Sequence, residues 1–319
     1  MRWLALALVA AYSQAWAQQQ EAALTVLQRI YQAANRSNYT GIFVFQQGNS
    51  VETSRITHLV DAQGSIEKLE ALDGTPREVI RRNDEVKCYL PASRTVKIER
   101  RPSQMSFPHL QPASLAALAE HYTIRLGEIE RVAGHEAQAV LFEPKDAMRF
   151  GHKLWAETNT GLLLRARTVN ERGEVVEQYS FTQLSIGGNI SRELVRPRFG
   201  VLPRDWQIEN AAPSETAASG WAVRDPPPGF KKIAEITRLI PSRQVAVNQM
   251  VYSDGMAAIS IFIEPLRGSG DRMSLGISKH GALSIYTRRK AEYLVTVVGE
   301  TPPGSVVQIG NQVEFRRGQ

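Results

Sequence analysis

Residues 203–230 read PRDWQIENAAPSETAASGWAVRDPPPGF. This stretch, Pro203 to Phe230, divides the chain. It is polar and rich in small residues, and Ala211–Gly220 carries too little apolar surface to offset the entropy of ordering it. The run Pro226-Pro227-Pro228 favours extended polyproline II, which makes a stiff spacer. Patterns of short apolar strands lie on either side. The expected organisation is therefore a leader over 1–17, a large domain over 18–202, a partly rigid linker over 203–229 and a small domain over 230–319.

Moving towards the N-terminus, eleven segments read as strands. They are Thr40–Gln46, Val51–Val60, Ser65–Ala71, Glu78–Arg82, Glu85–Leu90, Thr95–Arg100, Tyr122–Val132, Ala137–Glu143, His152–Glu157, Leu162–Asn170 and Val175–Ile186. Turn formers such as Gln47-Gly48-Asn49, Asp73-Gly74 and Asn83-Asp84 separate them. Short strands joined by tight turns predict an antiparallel meander rather than βαβ units. So many strands must curl to manage their edges, leaving an apolar groove under whatever packs on the concave face. Glu21–Asn35 supplies an amphipathic helix with a stripe at Leu24, Leu27, Tyr31 and Ala34. Ser114 is placed to cap a second, short helix ending near His121.

Beyond the linker the β pattern resumes at smaller scale. Strands are expected at Ile233–Leu239, Val245–Tyr252, Met256–Glu264, Met273–Ser278, Leu283–Thr287 and Tyr293–Gly299. Thr301-Pro302-Pro303-Gly304 opens a short helix through about Ile309, and Val313–Phe315 follows. The fold class is α+β, mostly antiparallel β.

At the extreme N-terminus Arg2, the apolar run Trp3–Tyr12 and Ala15-Trp16-Ala17 fit a cleavable export signal, with the mature chain starting at Gln18. The apolar run is too short to span a bilayer. The single cysteine, Cys88, excludes an intramolecular disulfide and an acylated cysteine at the leader boundary. It reads as a small core residue on a strand. Charge is uneven: residues 18–216 hold 24 basic and 24 acidic residues, whereas 217–319 hold 13 and 8. An exported basic module suits an acidic peptide or anionic headgroups rather than nucleic acid.

No catalytic constellation, cofactor motif or metal-ligand spacing emerges. The six histidines are scattered, no G-x-S-x-G elbow occurs, and Glu128/Glu130 reads as solvated strand surface. Binding is the remaining class. Phe43, Phe45, Tyr89, Phe107 and Trp155 are candidate lipid-contacting residues of the groove. Arg224, Tyr252 and the basic run Arg288-Arg289-Lys290 are candidate partner contacts.

Several segments carry a resemblance in chain order: the leader and early helix, Leu72–Arg82 (LDGTPREVIRR), Trp155–Arg165 (WAETNTGLLLR), Gly173–Tyr179 (GEVVEQY), Val251–Gly255 (VYSDG) and Val297–Pro303 (VVGETPP). Together they resemble the RseB/MucB family, periplasmic negative regulators of the sigma-E (AlgU) envelope-stress response. The resemblance implies a large N-terminal domain like the lipoprotein carriers LolA and LolB, an unclosed β-barrel with helices over its opening, and a small C-terminal α+β domain. It implies a soluble periplasmic protein, not an enzyme and not a lipoprotein. Its partner would be the periplasmic region of a membrane-spanning anti-sigma factor, shielded from site-one proteolysis. Lipid or lipopolysaccharide would be the releasing ligand, and a homodimer is compatible with the pattern. The alternative function is a periplasmic lipid or lipoprotein carrier.

Overall fold

The computed structural model describes residues 2–100, 115–199, 202–210, 219–240, 245–266 and 274–316. The chain opens with α1 (Arg2–Arg36). Its buried stripe is Ala23, Leu27, Ile30 and Ala33. That is a rotation from the expected Leu24, Leu27, Tyr31 and Ala34. Both stripes satisfy the helical period, but small Ala23 and Ala33 admit the closer approach, while Tyr31 stays half-exposed at the edge.

Six strands follow as a meander: β1 (Tyr39–Gln47), β2 (Ser50–Asp61), β3 (Gly64–Ala71), β4 (Glu78–Arg82), β5 (Glu85–Leu90) and β6 (Thr95–Arg100). The short helix α2 (Leu115–His121) then leads into β7 (Tyr122–Val132), β8 (His135–Pro144), β9 (Gly151–Glu157), β10 (Leu163–Val169) and β11 (Val175–Ile186). β11 returns antiparallel to β1, which joins the two meanders into one sheet. Ser114 and Phe107 lie outside the described residues. Cys88 on β5 is half-buried rather than sealed in the core.

The stretch expected to be bare linker contributes a strand at each end. β12 (Gln207–Asn210) lies parallel to β6 and is the twelfth strand, giving the order β12-β6-β5-β4-β3-β2-β1-β11-β10-β9-β8-β7. It escaped detection because all four of its residues are exposed, so it carries no alternation. Its service is to cover the edge of β6. β13 (Trp221–Val223) pairs with the C-terminal strand of the small domain. The sheet stays unclosed, with β12 and β7 as its two edges. α1 packs on β7, β8 and β10, where Leu27, Ile30, Leu118, Tyr122, Phe142 and Leu154 form a core.

The small domain comprises β14 (Lys231–Ile240), β15 (Val245–Ser253), β16 (Ala258–Pro265), β17 (Gly276–His280), β18 (Leu283–Lys290), β19 (Tyr293–Gly299), α3 (Pro303–Gln312) and β20 (Val313–Phe315). Its six-stranded sheet runs β14-β15-β16-β19-β18-β17. Met250, Ile259, Ile261, Ile263, Val295 and Val297 form one face and pack with Val306 and Ile309 of α3. Proline at the start of α3 occupies a position whose N–H has no helical partner to lose.

The rotated stripe of α1 can be tested directly. Ile30→Ala should cost about 2–5 kcal/mol in urea unfolding, as for other buried large-to-small changes. Tyr31→Ala should cost clearly less, and the reverse order would refute the observed stripe.

Candidate functional site between the domains

Alternation along β1 and β11 turns Phe43, Phe45, Glu177 and Tyr179 to one side. The register pairs Phe43 with Phe181 and Phe45 with Tyr179, after a bulge between Ile42 and Phe43. The rings cluster, with centroids 4.7 Å apart for Phe43–Tyr179 and 5.4 Å for Tyr179–Phe181. Gly41 makes room for this stack: a Cβ there would sit 2.7 Å from the Phe181 ring.

Phe43, Phe45 and Tyr179 wall a cavity of about 600 Å³, within the usual range for ligand pockets. Its opposite wall belongs to the small domain: Gly255, Met256, Ala258 and Ser260 beside the β15–β16 turn, with Leu283, Val298, Gly299 and Glu300. The cavity is therefore shared, not a groove of one domain.

The domains are held together beside it by Arg149. Its side chain is wholly buried, and Nη1 donates to Oδ2 of Asp254, equally buried, at 2.8 Å. Nη2 donates to the carbonyl of Pro228 at 2.5 Å, and Nε to Asp146 at 3.0 Å. The guanidinium lies 5.5 Å from the Tyr122 ring centroid and 5.4 Å from that of Phe230. The Tyr122 hydroxyl donates to Asp254 at 3.3 Å. Asp254 also accepts the amides of Met256 and Ala257 at 2.9 Å each, which fixes the turn forming the far cavity wall. The proline run thus does not stand clear as a spacer; it is clamped against the large domain. Gly229 is required there, because a Cβ would come within 2.4 Å of the His121 ring and the backbone has φ +84°. Ser305 of α3 adds a hydroxyl bond to the Met148 carbonyl at 2.5 Å.

Two carboxyls meet in the cavity from opposite domains. Burial and the neighbouring Glu300 push Glu177 up to about 7, against a hydrogen bond from Gln47 that pulls it down. Burial also raises Glu300. His152, in the same wall, is held neutral by burial down to about 4 in spite of Asp254. Glu177 then favours the fold at low pH and His152 at high pH.

Of the expected lipid contacts, Phe43 and Phe45 line this cavity. Tyr89 does not: it is buried in a separate core with Leu59, Ile66, Ile80 and Val96. Trp155 is fully buried and outside the lining. Of the expected partner contacts, Tyr252 is buried in the small-domain core, its hydroxyl accepting the Val223 amide at 3.4 Å. Arg224 forks onto Gln312, Arg288 donates to Asn311 at 2.8 Å, and Lys290 donates to the Val313 carbonyl. Only the Arg289 side chain of this set is exposed with no partner among the described residues. Sequence reasoning missed Tyr179, Met256, Arg149, Asp254, Glu177 and Glu300. The alternation Glu177-x-Tyr179-x-Phe181 was the one available signal.

Among the described residues no group of three or more potential metal ligands converges, and no helix is long and apolar enough to cross a membrane.

Comparison with known proteins supplies the context. The MucB/RseB N-terminal domain model matches residues 22–199 and the MucB/RseB C-terminal domain model matches 215–314. The chain belongs to the MucB/RseB family. The sigma factor AlgU regulatory protein MucB of Pseudomonas aeruginosa is 30% identical over 291 residues, covering 89% of this chain and 88% of MucB. The sigma-E factor regulatory protein RseB of Salmonella typhimurium is 24% identical over 318 residues, covering 98% of each. The solved Pseudomonas aeruginosa MucA/MucB complex matches with TM-score 0.72 and 27% identity, over 93% of this chain and 99% of that one. A MucB structure in complex with the periplasmic part of MucA matches with TM-score 0.71. These relatives are regulatory proteins.

Two outcomes follow from the site. Arg149→Met leaves Asp254 buried without its cation and should lower stability by about 3–5 kcal/mol; adding Asp254→Asn should recover part of that in a double-mutant cycle. Glu177 carries its proton above the ordinary 4.5, so the folded chain binds more protons than the unfolded one between 4.5 and about 7, and stability falls as pH rises through that window. Glu177→Gln should therefore melt above the parent at about pH 8, by roughly 2–4 °C for each kcal/mol relieved. The difference should vanish below pH 4.5, and a gain persisting there would refute the assignment.

Proposed function

We propose that this chain is an exported regulator that binds the periplasmic region of a membrane-spanning anti-sigma factor. By covering that region it shields it from site-one proteolysis and keeps the sigma-E response off. A lipid or lipopolysaccharide entering the interdomain cavity releases it. The observation that carries this reading is the shared wall: the aromatic face of β1 and β11 on one side, and the β15–β16 turn of the small domain on the other. Export is supported by Arg2, the apolar run Trp3–Tyr12 and the small residues Ala15 and Ala17.

A ligand bridging two domains is placed to alter their spacing. It shifts the equilibrium only by its differential affinity for the two arrangements, and a lipid that fits both equally shifts nothing. The partner-binding arrangement and the lipid-filled arrangement must therefore differ at this wall. Phe43, Phe45, Tyr179 and Met256 are the apolar contacts for an acyl chain, and Arg289 is the cation available to an acidic partner segment.

The test is binding of the purified protein to its anti-sigma factor's periplasmic segment, with and without lipopolysaccharide fragments. Tight binding that lipid competes away is expected, with Phe43→Ala/Tyr179→Ala resisting the competition. Binding indifferent to lipid would refute the release step. No binding at all, with bound lipid passing to acceptor vesicles, would replace the regulator by a carrier. Arg289→Ala should weaken partner binding about two- to fivefold at low salt and less at 0.15 M.

A further inference from the structure

The opposite face of the same sheet holds a different constellation. Alternation sends His152, Leu154, Ala166, Thr168 and Tyr179 towards the cavity, and so sends Lys153, Trp155, Arg165, Gln178 and Ser180 the other way. The register sets two adjacent rows across three strands: Ser180–Arg165–Trp155 and Gln178–Arg167–Lys153. Arg167 also borders the cavity wall between Ala166 and Thr168.

Three cations converge on one indole. Lys153 Nζ lies 4.5 Å from the Trp155 ring centroid, and the Arg165 and Arg167 guanidiniums each lie 5.2 Å from it. Among the described residues one carboxylate answers them. Glu130 accepts Lys153 at 2.7 Å and stands 3.9 Å from Arg165. The hydrogen bond from Lys153 holds its carboxyl below the ordinary range. Glu130 is thus not the solvated strand residue expected. Among the described residues two positive charges remain unmatched, in a patch where the Arg165 side chain is only 21% exposed. Burial and the adjacent Arg167 both disfavour the charge on Arg165.

Both guanidiniums are nevertheless anchored. Arg165 Nε donates to the Ser180 hydroxyl at 3.1 Å, and Arg167 Nε donates to Gln178. Tethering Nε to β11 leaves the terminal nitrogens of Arg167 without a partner among the described residues, and those of Arg165 with only the long contact to Glu130. Cations that merely shield an indole need no such tethers, and mutual repulsion would splay them apart. Holding two forks side by side is the arrangement that receives a planar or tetrahedral oxyanion. A carboxylate would neutralise one of the two surplus charges, whereas a phosphoryl dianion neutralises both and offers several acceptor oxygens.

We propose that Lys153, Arg165 and Arg167, seated on Trp155, form a binding site for a phosphoryl group. Apart from Arg167, which also borders the cavity, the site stands on the face away from the aromatic wall, and it does not depend on whether the cavity takes an acyl chain. Its ligand is a phosphomonoester, either a soluble one or the headgroup of phosphatidic acid.

Calorimetric titration of the purified protein with inorganic phosphate in chloride buffer tests the site. Co-sedimentation with vesicles containing phosphatidic acid, and with zwitterionic phosphatidylcholine vesicles as the control, identifies the source. Saturable one-site phosphate binding is expected. It should weaken roughly ten- to a hundredfold in Arg165→Gln/Arg167→Gln, the scale for losing hydrogen bonds to a charged group. Arg165→Lys/Arg167→Lys preserves charge and cation–π cover while removing the forks, and should still weaken phosphate binding. This holds even if the glutamine variant unfolds. Loss of phosphatidic acid binding on adding phosphate would assign the lipid headgroup, and phosphate binding without vesicle binding a soluble ester. Absence of saturable phosphate binding, or affinity unchanged in the lysine variant, would overturn the proposal.

Discussion

The structure depends on one buried charge. Arg149 sits at the junction of large domain, proline run and small domain, and its hydrogen bonds reach all three: Asp146, the Pro228 carbonyl and Asp254. An arginine without solvent is tolerable only if each fork is answered and the counter-charge is itself satisfied. Here Asp254 is also bonded by two backbone amides and a tyrosine hydroxyl. Such a network is poor at adding net stability but strict about geometry. Slight displacement of the small domain would strand a charge, so the junction favours discrete arrangements over a continuum of angles.

That strictness shapes the cavity next to it. Asp254 holds the turn that presents Met256 towards the aromatic wall, so docking the domains and building the pocket are the same event. The pocket contains its own opposition, since Glu177 and Glu300 approach from opposite domains and burial disfavours ionising either. A tight ionic clasp on one side and reluctant carboxyls on the other leave the interface held but not sealed. This suits a protein proposed to exchange a peptide for a lipid.

Much of the fold was legible because its strands alternate and its turns are chemically marked. Glu78–Arg82, Glu85–Leu90, Thr95–Arg100, Tyr122–Val132, Val175–Ile186 and Tyr293–Gly299 were readable to the residue. β12 was not, because a strand that buries no side chain leaves no periodic trace. The face of α1 was off by a small rotation, because alanine and leucine are equally apolar in a pattern while only packing distance separates them. The site was half legible. Phe43 and Phe45 announced an apolar wall, but Tyr89, Trp155 and Tyr252 carry the same composition and lie in cores. Arg149 and Asp254 were invisible: a buried aspartate in a Ser-Asp-Gly turn looks like any exposed one. Pairing across 105 residues is a property of the assembled domains.

Two points within the dividing stretch are pinned to different bodies, Asn210 in the large sheet beside β6 and Trp221 in the small domain beside β20. Eleven backbone steps separate them, a span of roughly 36–40 Å at full extension. Should the Arg149 clasp open, the small domain could drift no farther than this tether allows. Reclosure is then an intramolecular encounter at an effective concentration on the order of millimolar. A weak interface suffices under that condition, so evolution was free to leave carboxyls and an open pocket at the seam without risking permanent separation.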